Sequence, residues 1–155
     1  MKLEDFLKNE PPLVLENYFH GDLEAWGILV DIFGNIRTQF YVKIKGNWNG
    51  EYLELIEDYE YSSGKTDQRI WKIQKIGKND YIGTANDIDG KVYGKTSGNA
   101  FTWEYSLKIP IGKYSVITRM SDWMWLQKNG ALINKTKIKK FGITIAHTNI
   151  FFIKK

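Results

Sequence analysis

The chain has 155 residues and a formal net charge of +4, and it contains no cysteine. One domain of this size buries roughly two-thirds of the surface that its unfolded chain exposes, so it needs no staple. A disulfide framework and a cysteine zinc site are excluded, and the two histidines have no further ligand at a metal-binding spacing, so neither metal nor cofactor is expected.

Read from the N-terminus, "LEDFLKNE" is the one candidate for a short helix, stopped by Pro11 and Pro12. Residues 1–16 read as a lead-in to a single barrel domain spanning 1–155. Glu4, Asp5 and Glu10 interrupt the apolar run that a secretory leader needs, and no stretch approaches about 18 consecutive apolar residues. The chain as given therefore reads as cytoplasmic; a removed leader would instead make it periplasmic or membrane-anchored.

Beyond the lead-in, short segments of strand character alternate with turn signals every ten residues or so, the spacing of an all-β sandwich or barrel. The aromatic share of 15% favours strands as well. About ten strands are expected, near 25–33, 36–48, 51–61, 66–76, 81–88, 91–97, 101–109, 114–126, 131–138 and 143–153. The turns between them include "FGN" at 33–35, "SSGK" at 62–65, "GKND" at 77–80, "DG" at 89–90, "SGN" at 97–99, "PIGK" at 110–113 and "KNG" at 128–130. Short turns pair neighbours antiparallel, and a long meander removes its edges by closing. The expected fold is an all-β, antiparallel up-and-down barrel of about ten strands, lipocalin-like, wide enough to hold one small ligand.

Alternation then sorts the candidate residues. In "FTWEYSLKI", Phe101, Trp103, Tyr105, Leu107 and Ile109 share one face. In "IRTQFYVKIKGNW", Ile36, Phe40, Val42 and Ile44 oppose Arg37, Gln39, Lys43 and Lys45. In "DQRIWKI", Arg69 lies beside Trp71 and Ile73, where a guanidinium can hold a carboxylate or phosphate while aromatic walls hold an acyl chain. In "SDWMWLQKNG", Asp122 falls on the face of Thr118, Met120 and Met124, while Trp123 and Trp125 fall on the face of Arg119 and Ser121; alternation does not say which face is inward. A buried acid needs a partner, and Arg37 or Arg69 are the natural candidates.

Other signals point away from chemistry. "GKT" at 94–96 lacks the spacing and following helix of a phosphate loop, and the glycines of 83–98 read as hairpin curvature. No glycine-flanked serine elbow exists, and His147 on the last strand lacks the second ligand that would strengthen a haem site. Asp122 is the only weak candidate for catalysis. After it no acid occurs, while Lys128, Lys135, Lys137, Lys139, Lys140, Lys154 and Lys155 follow. That asymmetry suits contact with an anionic membrane surface; nucleic acid is not expected, since no recognition helix or RNA-binding aromatic motif accompanies the lysines.

The pairs Phe19/Gly21, Ala25/Gly27, Asp31/Gly34, Trp48/Gly50, Arg69/Trp71 and Trp103/Tyr105, with "GNA" at 98–100, "DWM" at 122–124 and "KFG" at 140–142, resemble the proteobacterial family called domain of unknown function 3833 from about residue 11 onward. The resemblance implies a lipocalin-like barrel with no established activity. Many members look like lipoproteins with a lipid-anchored cysteine, and some are encoded near enzymes that modify membrane acyl chains; the sequence as given reads without a leader and contains no cysteine, a departure from that pattern that leaves a soluble relative and a mature domain freed of its leader both open.

Together these features lead us to expect a binding protein for a small hydrophobic ligand with an acidic head group, a fatty acid or lipid. Trp71, Trp103, Tyr105 and Trp123 would line the cavity, with Asp122 as its polar group and Arg69 and Arg37 meeting the head. Two other readings stand beside it: a small-barrel enzyme with Asp122 as acid or base, and a packed barrel that contacts a protein or membrane through its surface.

Overall fold

The computed structural model describes the backbone of residues 1–155 and every side chain except those of Pro110 and Ile111. Ten antiparallel strands follow one another: β1 (Gly21–Asp31), β2 (Ile36–Trp48), β3 (Tyr52–Tyr61), β4 (Thr66–Lys75), β5 (Asp80–Ala85), β6 (Ile88–Ser97), β7 (Ala100–Ile111), β8 (Tyr114–Leu126), β9 (Leu132–Lys140) and β10 (Ile143–Lys154). Each pairs with the next, and β10 returns to β1 with Ala25 opposite Phe152, which closes an up-and-down barrel. The expected fold class is the observed one.

Period-two burial runs through the sheet. On β9, Leu132, Asn134, Thr136 and Ile138 are inward, and the lysines between them face out. On β7, Phe101, Trp103 and Tyr105 are buried, and two of the rings are accommodated by missing side chains on β5 and β6. A Cβ on Gly83 would stand 2.7 Å from the Trp103 ring, and one on Gly94 2.5 Å from the Phe101 ring. Those two glycines make room for large rings, which the curvature reading of 83–98 did not capture.

Two boundaries differ from the sequence reading. The β5–β6 hairpin turns at Asn86-Asp87, not at Asp89-Gly90, because Ala85 already pairs with Ile88. The side chain of Asn86 then finishes β4, accepting from the Ile70 backbone N–H at 2.7 Å and donating to the Gln68 carbonyl. Strand β1 also starts at Gly21 rather than near residue 25.

The two ends of the barrel are unlike. At one end the lead-in forms a floor: after a 3-10 turn (Leu3–Phe6), the chain crosses beneath the lumen and makes a single helical turn, α1 (Leu15–Tyr18). Leu13, Leu15, Tyr18 and Phe19 are buried there. Glu16, itself buried, takes hydrogen bonds from Lys75 and from the Tyr81 hydroxyl, and the Tyr18 hydroxyl donates to the Gly130 carbonyl at 2.8 Å. At the other end the connections are hairpin loops of two to four residues, too short to roof a ten-stranded mouth.

Phe6 settles the direction of strand β8. Its ring packs on Trp123 and Trp125, which stack on each other outside the barrel, with centroids 5.9 and 6.1 Å from its own. The methionine face is therefore the inward one. Asp122 enters the lumen, and Trp123 does not.

Candidate functional site

The lumen holds a cavity of about 220 Å³. Its base is apolar, formed by Leu15, Phe19 and Phe152, and Phe40, Tyr59 and Tyr61 rise toward the mouth. At mid-height Trp71 and Trp103 stack with centroids 4.4 Å apart, and Tyr105 meets both edge-on. Charged groups interrupt this aromatic wall at two places among the described residues.

The first is Asp122, 6% exposed. One carboxylate oxygen accepts the Trp103 indole N–H at 3.0 Å; the other accepts from the Thr136 hydroxyl at 2.9 Å and from the Asn134 amide. Burial pushes its pKa up, and the three donors oppose that rise. These partners replace the arginine expected from sequence. A carboxylate with both oxygens engaged by strand neighbours ties β7, β8 and β9 together.

The second is the pair Glu57 and Arg69, directly opposite one another on β3 and β4. Arg69 has turned to the mouth, where its Nε and Nη2 donate to the Asp87 carboxylate at 2.9–3.0 Å. Asp87 reaches it because the β5–β6 turn lies at 86–87. Glu57 is left without a full ion pair, with a long 3.5 Å hydrogen bond from the Tyr59 hydroxyl. Burial raises Glu57 to about 7, with Arg69 opposing and Asp122 adding to the rise.

Of the residues expected to bind ligand, the structure gathers Arg69, Trp71, Trp103, Tyr105 and Asp122 around one cavity. It leaves Trp123 outside beneath Phe6. Arg37 is also outside: it sits at the rim beside Asp31, 3.8 Å away, with its side chain 66% exposed. Ile36 likewise rises past the lumen to the rim. His147 faces outward among Lys135 and Lys137, whose charges join burial in depressing its pKa, and it is no lumen ligand.

Glu57, Asn134 and Thr136 were not anticipated. The signal for Glu57 was present in "LELIEDYEY", where Leu53, Leu55, Glu57, Tyr59 and Tyr61 occupy alternate positions and only one of the five carries charge.

No curated protein matches the chain. The family model described as "Protein of unknown function (DUF3833)" matches residues 1–154, extending the likeness through the lead-in that forms the floor, and the chain belongs to that family.

Proposed function

We propose that the protein is a binding barrel for a compact, largely apolar ligand with an acidic head, a short fatty acid being the simplest example. The observation that carries this reading is a one-ended aromatic lumen in which Arg69 is the sole cationic side chain among the described residues. Ligand sites are typically such concave apolar spaces with a few placed polar groups. Arg69 keeps Nη1 free of its Asp87 contact, so it can meet a head group without losing its existing partner. Glu57 and Asp122 would repel an acid if both were ionised, and burial works toward their neutral forms. The cavity is below the roughly 300–1,000 Å³ of drug-sized sites, which argues for one short chain and against a two-chain lipid.

Native mass spectrometry of the purified protein, with titration of a fatty-acid length series followed by tryptophan fluorescence, tests this. Quenching of the stacked Trp71–Trp103 pair with an optimum at short chain length is expected. No bound mass and no response across the series would end the proposal.

The enzyme reading shifts residue. Asp122 has both oxygens occupied, so Glu57, raised to about 7 and loosely held, is the better acid–base group of the lumen.

A further inference from the structure

The rim of the mouth is divided into two unlike halves. Around the barrel the hairpins β1–β2, β9–β10 and β7–β8 are neighbours, and β3–β4 with β5–β6 complete the circle. The first three turn large apolar side chains to solvent: Ile32 and Phe33, 60% and 83% exposed, then Phe141 and Ile143, 92% and 68%, then Tyr114 and Ile117, 80% and 67%. The tips of the other two, Ser62 to Lys65 and Asn86-Asp87, carry none among the described residues.

Charge divides the same way. The apolar hairpins bring Arg37, then Lys137, Lys139 and Lys140, then Lys108, Lys113 and Arg119, against Asp31 and Glu104, the latter paired with Arg119 at 3.3 Å. The two polar hairpins bring Asp58, Glu60, Asp67, Asp87 and Asp89 against Lys65, Arg69 and Lys91. The seven lysines after Asp122 thus do not form one patch: Lys137, Lys139 and Lys140 sit at this rim, Lys135 lies midway along β9, and Lys128, Lys154 and Lys155 lie toward the closed end.

Phe141 adds an independent observation. It has φ +51° and is followed by Gly142 at +76°, the two-residue hairpin geometry that suits Asn-Gly or Asp-Gly. A bulky L-residue is strained there, and its ring gains no packing beyond the Lys140 ammonium 5.4 Å from its centroid. Stability does not account for an aromatic at that position.

We propose that the β1–β2, β7–β8 and β9–β10 half of the rim docks onto a bilayer bearing anionic lipid. Phe33, Tyr114 and Phe141 enter the interfacial layer, and the flanking lysines and arginines meet headgroup phosphates. Three separated apolar tips ringed by cations suit a soft anionic surface. A second copy of the chain would bring two basic rims face to face. This surface lies outside the lumen, and its docking does not require the lumen to be occupied.

The cysteine-free chain allows single labels. Tyr114→Cys and Lys128→Cys, each carrying an environment-sensitive fluorophore, are mixed with vesicles of phosphatidylcholine alone or with added phosphatidylglycerol. The label at 114 should brighten with the anionic vesicles only and lose its response at high salt, while the label at 128, beyond the floor, stays unchanged. Phe33→Ser combined with Phe141→Asn should weaken vesicle partitioning by about tenfold or more, as expected for withdrawing two aromatic rings from the interface. Phe141→Asn alone should leave the melting temperature unchanged or higher, since asparagine suits the turn. Equal response at position 128, equal binding to neutral vesicles, no binding, or a dimer dissolved by the tip substitutions would each overturn the proposal.

Discussion

Glu57 faces the lumen between Leu55 and Tyr59, and the guanidinium opposite it has turned to Asp87. Its pKa is raised from an ordinary 4.5 to about 7, so between those values the folded protein keeps a proton that the unfolded chain has released. Stability from this group is full below about pH 4.5, falls as pH rises toward 7 and is flat above; the loss is on the order of 3 kcal/mol. Glu57→Gln should therefore flatten the pH profile and be more stable than wild type at alkaline pH. Asp122→Asn removes a carboxyl whose pKa burial also raises, so it too should flatten the pH profile, but its amide hydrogens would face one of three donors, at a loss of about 1–3 kcal/mol at every pH. Urea denaturation of both variants from about pH 5 to pH 9 separates them, and an unchanged slope in Glu57→Gln would remove Glu57 as the source. Alternation made both side chains legible as members of a face, yet both faces of β8 carry large apolar groups. The register with β7 sets Asp122 opposite Trp103 and Met124 opposite Phe101, and Phe6, more than a hundred residues away in sequence, covers the outer tryptophans; the periodicity of β8 alone contains neither fact.

Elements were more legible than residues because a strand buried on one side writes its period directly into sequence, and hairpin glycines mark most ends. The failure at Asp89-Gly90 is instructive. That dipeptide is a strong turn signal, but the register shift between Gly83 and Ala85 on β5 lets the strands pair up to Ile88, and the turn falls at 86–87. The floor was legible only as a lead-in stopped by prolines. Its seat is Gly46 on β2, where an added Cβ would stand 1.5 Å from the Phe19 carbonyl oxygen and 3.1 Å from Leu55. The close atom is backbone and cannot rotate away. Gly46→Ala should destabilise by about 1–3 kcal/mol or more, which for a chain of this size is a fall in Tm of several degrees, measured by thermal denaturation. A melting temperature equal to wild type would mean that the floor is held elsewhere.

At the scale of the whole molecule, closure was deducible from the meander, but the unlikeness of its two ends was not, since it depends on the order of strands around the barrel. The lumen joins Arg69, Glu57, Asp122, Tyr59 and Tyr105 with Asp87 at the edge, and their combined field would give the affinity for the proposed ligand a pH dependence. For an anionic ligand, ionising Glu57 adds repulsion, so affinity should fall as pH rises above about 7, by up to tenfold per unit. Calorimetric titration of a short fatty acid should show this fall in wild type and lose it in Glu57→Gln, whereas an uncharged analogue of equal length should bind with little pH dependence.

The floor formed by residues 11–19 makes the lumen a blind tube with an apolar base. A ligand of the proposed kind would have to enter tail first, because the arginine and the acids stand above Leu15 and Phe19, and would have to leave through the opening it came in by. A molecule that collected or delivered it would therefore meet its head and never its tail. Exchange would be sequential, with one occupant out before the next comes in.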